Sequence, residues 1–283
     1  MVDTMGVLFL QRSPVHLPDL LASPTYSPTR NRPRLGGNHL GKRCRDSMSE
    51  RLWFLKRCDL FQRLGQEQLA ALEARCRVRK FPRATPVYLP SDQADGVLLL
   101  AEGRVKIGSI TPDGKQSILA FIEPGELFGE LSLLGSQQRE EYAKTLEKST
   151  VILIPGKEMR QLLAENLEVS LGVTKLIGLR RQRIERRLKY LLFRSSRERL
   201  VHLLLELAER YGQSVPGGVQ LRIKLSHQDL ANIIGSTRET VTVVLGELQA
   251  EGRVQLGRRK IVLSDLVRLA DSVGAAEPRL TEA

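Results

Sequence analysis

Arg238, Glu239, Thr242 and Val243 stand at i, i+1, i+4 and i+5, so a helix over this stretch gathers them on one face. These side chains match the edges of base pairs. Arginine binds guanine O6 and N7 in bidentate fashion, glutamate accepts from the cytosine amino group, and a threonine or valine methyl meets the thymine methyl. Val241, Val244, Leu245 and Leu248 form a separate apolar stripe, which predicts the side that is buried. The alternative is a plain helical hairpin, in which Glu239 closes a capping box from Ser236 and Arg238 is solvated. An exposed valine beside the arginine is the feature that this alternative leaves unexplained.

Such a face reads base pairs only when a second element holds it at the right angle, and residues 226–249 supply one. Ser226 and Asp229 have the spacing of a capping box, and small Ala231 permits close helix packing. Gly235 allows a sharp turn, and Ser236 or Thr237 caps the second helix. Ser226, His227 and Gln228 open the first helix and join Ser236 and Thr237 in the candidate DNA-binding set. Beyond the second helix, the strands Val254–Leu256 and Ile261–Leu263 flank Gly257-Arg258-Arg259-Lys260, a two-stranded wing. Arg258 at its tip is placed to reach the sugar-phosphate backbone, or else it is simply solvated.

The composition fits a polyanionic partner. The 283 residues carry 44 Lys and Arg against 32 Asp and Glu, a net charge of +12, which suits nucleic acid or an anionic membrane surface. No apolar run approaches the roughly 18–20 residues of a membrane-spanning helix. Val7–Leu10 is too short for a signal peptide, so a cytoplasmic protein with no membrane association is expected. Cys44, Cys58 and Cys76 are too scattered for a disulfide framework or a metal cluster. The sequence shows no convergent nucleophile, base and metal set, so neither an enzyme nor a metal site is expected.

Two domains and a connecting helix are predicted. Residues 1–47 are rich in Pro, Arg, Ser, Gly and Asn and read as a disordered tail. A phosphate-gripping arm is one alternative, and translation starting at Met48 is another. Residues 48–156 begin with two short helices and continue as an all-β unit. Its strand candidates are Val97–Leu100, Val105–Ile110, Ile118–Ile122 and Val151–Ile154, separated by regular turns that favour a compact barrel or roll. Residues 157–193 read as one helix. Ile177, Ile184 and Leu191 take one heptad position, with Leu167, Thr174, Arg181 and Leu188 at the other, which predicts a homodimer. Burial of this stripe against its own domain is the alternative. Residues 194–272 then hold an amphipathic helix, an alternating strand at Val219–Ile223, the paired helices and the wing. Residues 273–283 read as a flexible tail.

On these motifs the chain resembles the CRP/FNR superfamily of bacterial transcription regulators, over roughly residues 50–270. Gly235-Ser236-Thr237-Arg238-Glu239-Thr240-Val241 is close to the family's recognition-helix signature, and Pro124-Gly125-Glu126-Leu127-Phe128-Gly129-Glu130-Leu131 resembles its phosphate-binding cassette. The resemblance implies an α+β protein: an N-terminal antiparallel β-roll of jelly-roll type, a long dimerisation helix and a C-terminal winged helix-turn-helix. It further implies a homodimer on a twofold-symmetric double-stranded DNA site that meets RNA polymerase.

In cyclic-AMP-binding relatives, a glutamate at the position of Glu130 holds the ribose, and an Arg-Ser pair holds the cyclic phosphate. Arg139 matches here, but Glu140 and Glu141 follow it, and a carboxylate repels the phosphate. The family's adenine-binding Thr-Ser pair aligns with Ile184 and Glu185. The candidate effector pocket is therefore Gly129, Glu130, Leu131, Arg139, Glu140, Arg181, Ile184 and Glu185, with an unknown small molecule rather than cyclic AMP as its effector and no certain cofactor. Arg139 and Arg181 suit a small anion, or each is a structural ion pair or a snorkelling side chain. A module whose main activity is sensing a cyclic nucleotide or small anion is the competing reading.

Overall fold

The computed structural model describes residues 52–56, 58–258 and 260–280. The predicted tail, Met48 and Cys44 lie outside the described residues.

After a helical turn at 52–56 and helix α1 (Gln66–Arg75), the chain forms β1 (Arg77–Phe81), β2 (Pro86–Tyr88), β3 (Gly96–Glu102), β4 (Val105–Ile110), β5 (Gln116–Ile122), β6 (Leu127–Phe128), β7 (Tyr142–Thr145) and β8 (Ser149–Pro155). These make two antiparallel sheets, ordered β1-β8-β3-β6 and β2-β7-β4-β5. The pleat explains why β3 is almost wholly apolar. Leu98 and Leu100 face Val105, Ile107, Ile122 and Phe128 inside the roll, while Val97 and Leu99 face the helices outside it. Leu55, Phe61, Leu69, Leu72, Met159, Leu162, Val169 and Val173 complete that outer layer. Cys58 and Cys76 are buried thiols, and burial pushes the Cys58 thiol up to about 11, well outside the reactive range.

The helix expected over 157–193 is two helices, α2 (Gly156–Glu165) and α3 (Leu167–Phe193), broken at Asn166. The cause is local. The Asn166 side-chain amide donates to the Leu162 carbonyl, Ser170 Oγ donates to that of Leu163, and the Asn166 backbone leaves the helical region at φ −129°. Of the predicted stripe on α3, Ile184 and Leu188 stand 41% and 53% exposed, while Ile177 packs partly buried against the core outside the roll.

Ser195 then caps α4 (Ser196–Tyr211), followed by β9 (Gly212–Val215), β10 (Gly218–Leu221), α5 (His227–Ile234), α6 (Arg238–Ala250), β11 (Val254–Gly257), β12 (Lys260–Leu263) and α7 (Leu266–Asp271). A third antiparallel sheet, β11-β12-β10-β9, backs the helices. Leu200, Leu204, Leu230, Val241, Leu245, Leu248, Leu263 and Leu269 form its core, joined by Ile118 and Phe121 from the roll. Two residues of the expected C-terminal tail touch this core. Val273 is buried and Leu280 packs on this core, because both are apolar and lie beside it.

Candidate nucleic-acid interface and effector pocket

The paired helices are fixed at every end. Ser226 Oγ accepts the Asp229 N–H at 3.1 Å, and the Asp229 carboxylate accepts the Ser226 N–H at 3.0 Å, a reciprocal cap on α5. Gly235 closes α5 with φ +62°, a left-handed conformation that favours glycine. Arg199 donates to the Ile234 carbonyl at 2.8 Å, satisfying the last turn of α5. Thr237, rather than Ser236, caps α6 by accepting the Thr240 N–H at 3.2 Å. At the far end, Arg197 bridges Glu247 and Glu251 at 2.8 and 2.6 Å, tying α6 to α4.

Held in this way, α6 buries Val241, Val244, Leu245 and Leu248 and leaves Arg238, Glu239 and Thr242 exposed beside Val243, itself 60% exposed. His227 Nδ1 lies 2.8 Å from Thr242 Oγ1, a link between the two helices that sequence spacing does not reveal. Gln228 is exposed and donates to Asn232 at 2.8 Å. Arg258 stands exposed after β11, near the wing tip, while Arg259 lies outside the described residues.

The roll and the head meet through charge. Lys106 on β4 pairs with Asp229 on α5, and both side chains are largely buried. Burial alone would raise the Asp229 carboxyl, but its bonds to Lys106 and Ser226 outweigh that and hold it below its ordinary value. Arg104 grips Glu123 with two bonds of 2.7 and 3.0 Å, and its guanidinium lies 5.1 Å from the Tyr211 ring centre. Arg187 on α3 bridges the Leu119 carbonyl of the roll and Glu206 of α4, each at 3.0 Å.

In the roll, the candidate pocket residues divide. Gly129, Glu130 and Arg139 come together. Arg139 donates to the Gly129 carbonyl at 2.7 Å and to the Gly96 carbonyl at 2.5 Å, with its guanidinium 4.7 Å from the Tyr88 ring centre. A Cβ on Gly129 would stand 2.5 Å from Arg139 Nη1, so glycine makes room for this guanidinium. Glu130 pairs at 2.9 Å with Arg180, which also donates to the Leu127 carbonyl. Arg181 does not share this site. It is exposed and pairs at 2.7 Å with Glu185, while Ile184 and Leu131 are exposed.

Glu140 is exposed, whereas Glu141 turns toward Tyr88, whose hydroxyl donates to it at 2.7 Å. Burial raises the Glu141 carboxyl above its usual range. Sequence reasoning therefore missed Arg180 and Tyr88, and placed Glu140 rather than Glu141 in the pocket. Arg139, Glu140 and Glu141 precede β7 in a bend, so neither the helical nor the strand period says which of the two glutamates turns inward. Among the described residues, no group of three His, Cys, Asp or Glu side chains is placed to hold a metal, and no helix is long and apolar enough to cross a membrane.

Comparison with known proteins places this geometry. Residues 78–166 match the cyclic nucleotide-binding domain family, and residues 198–272 match the Crp-like helix-turn-helix domain family. A CRP-like cAMP-activated global transcriptional regulator of Mycobacterium tuberculosis is 29% identical over 216 residues, 76% of this chain and 96% of that protein. A global nitrogen regulator of Synechocystis is 31% identical over 213 residues, covering 75% of this chain and 92% of the relative. The solved structure of the c-di-GMP responsive global regulator CLP of Xanthomonas campestris superposes with a TM-score of 0.64 at 26% identity, covering 71% of this chain and all of that one. With both modules matched in the same order and nearly the whole length of these relatives covered, the chain belongs to the CRP/FNR superfamily of DNA-binding transcription regulators.

Proposed function

We propose that the protein acts as a cytoplasmic homodimer on a twofold-symmetric DNA site, with one α6 from each subunit in the major groove, and that it thereby recruits or obstructs RNA polymerase. The exposed face of Arg238, Glu239, Thr242 and Val243 carries this reading, because it offers donors, an acceptor and methyls to base edges. Ser226, His227, Gln228, Ser236, Thr237 and Arg258 lie at helix starts and beside the wing tip, where contacts to phosphate add affinity without sequence information. The outward stripe of Ile184, Leu188 and Leu191 on α3 supports the dimer.

We further propose that the roll does not take cyclic AMP in the usual way. The groups that would meet a cyclic phosphate are engaged within the chain, Arg139 by two carbonyls and Glu130 by Arg180. A phosphate entering there must break the Arg139 bonds and approach the carboxylate of Glu141. The relatives carry names that point to different signals, so the effector does not follow from kinship.

Selection of bound sites from random duplex DNA tests the whole reading. The expected product is a twofold-repeated half-site, enriched to the same extent with and without cyclic AMP. Recovery of unselected sequence would refute DNA readout, and enrichment that depends on cyclic AMP would refute the pocket assignment.

A further inference from the structure

We infer that His227, on the first helix of the pair, is a positioning residue for base readout: it holds the Thr242 hydroxyl inward, so that α6 offers the groove a methyl from Thr242 beside those of Val243. This deepens the recognition-helix reading above and rests on it.

The argument starts from the two rotamers open to a helical threonine, whose hydroxyl can bond the carbonyl one turn back. Thr242 Oγ1 does so, donating to the Arg238 carbonyl at 2.9 Å. That bond alone is weak and competes with water at an exposed position. The His227 ring adds a second partner on the protein side, with Nδ1 2.8 Å from the same oxygen. An Nδ1–H donor is available both in the imidazolium and in one neutral tautomer, so the link survives either charge state of the ring. With the hydroxyl engaged twice by the protein, the γ-methyl is the group Thr242 presents outward. Val243 is adjacent and 60% exposed, so the two residues form one apolar patch suited to thymine C5-methyl groups.

Were Thr242 to rotate, its hydroxyl would face the bases instead. A hydroxyl donates and accepts, and therefore tolerates several bases. His227 thus sets which group is read, although nothing in the inference requires it to touch a base.

The test uses the full chain and a duplex carrying the selected site, with each thymine replaced in turn by deoxyuridine, which lacks only the C5-methyl. Binding is followed by fluorescence anisotropy for the native protein and for His227→Ala, His227→Asn and Thr242→Ser. The native protein is expected to bind roughly three- to tenfold more weakly when one particular thymine of each half-site loses its methyl. In Thr242→Ser and in His227→Ala that difference should shrink to within a factor of about two. His227→Asn, whose amide N–H can take the place of Nδ1–H, should preserve it.

Full discrimination by His227→Ala would overturn the inference. So would discrimination that survives Thr242→Ser, since Val243 would then be the reader, and so would native protein indifferent to every thymine methyl. If His227→Ala fails to fold, His227→Phe, a ring with no donor, takes its place: discrimination should shrink in the same way, and full discrimination would overturn the inference. Failure of the underlying reading looks different: the native protein would show no base preference at any position.

Discussion

Arg238 opens α6, exposed, and no ion pair holds its guanidinium among the described residues, so its donors are free to face base edges. Replacing it with alanine is expected to cost about 1–3 kcal/mol of DNA binding and to relax selectivity at one guanine of each half-site. Competition binding against duplexes varied at that position measures both effects, and unchanged selectivity would remove Arg238 from the readout. Gly235 acts through the backbone. At φ +62°, alanine is expected to cost about 1–2 kcal/mol of folding stability, read from urea denaturation. The alanine Cβ would also meet Leu191 Cδ2 at 2.8 Å, a flexible side-chain tip that can move aside. The backbone strain should therefore dominate. These positions were legible in sequence because residue type alone fixes their chemistry. His227 was placed in the DNA-binding set from sequence, but its link to Thr242 was not visible, because fifteen positions separate the two and only helix pairing joins them.

At the level of elements, α5 is held by its own cap and by the roll. Lys106→Met would leave the Asp229 carboxylate enclosed with only Ser226 to satisfy it, and about 2 kcal/mol of stability should be lost near neutral pH, less than for a fully buried pair. Because the folded Asp229 titrates below its unfolded value, its contribution is complete above the ordinary carboxylate range and fades as pH falls through the folded value. The gap between native protein and Lys106→Met should therefore narrow as denaturation is repeated from pH 7 down to about pH 3. A gap that stays constant over that range would mean the pair does not carry the effect. The α4 cap behaves in the same direction. The Ser195 backbone N–H, then Arg194 and the Ser195 side chain, hold Glu198 down to about 2, so this cap also weakens only in acid.

For the whole molecule, the exposed Ile184 and Leu188 of α3 are the place to test the proposed subunit contact. Glutamate at both Ile184 and Leu188 would place charge on each side of a paired seam, and light scattering is expected to report a monomer. Binding to a twofold site should then weaken by about a hundredfold or more, since each head would bind without a tethered second. A dimer that persists would locate the subunit contact elsewhere. The ion pairs of Lys106 with Asp229 and of Arg187 with Glu206 join the roll and α3 to the C-terminal helices.

The sequence alone determined the parts governed by local rules. The capping spacing of Ser226 and Asp229, the glycine at 235, the apolar stripe of α6 and the turn-punctuated strands each follow from interactions among close neighbours in the chain. The fold class and the family resemblance were readable for that reason. Tertiary structure decided what depends on distant segments meeting. It gave Glu130 to Arg180 rather than Arg181, turned Glu141 rather than Glu140 toward Tyr88, and set Lys106 against Asp229 across 123 positions. Adjacent residues differ by about 100° on a helix and by half a turn on extended chain, so choosing between neighbours requires knowing which face the rest of the molecule covers.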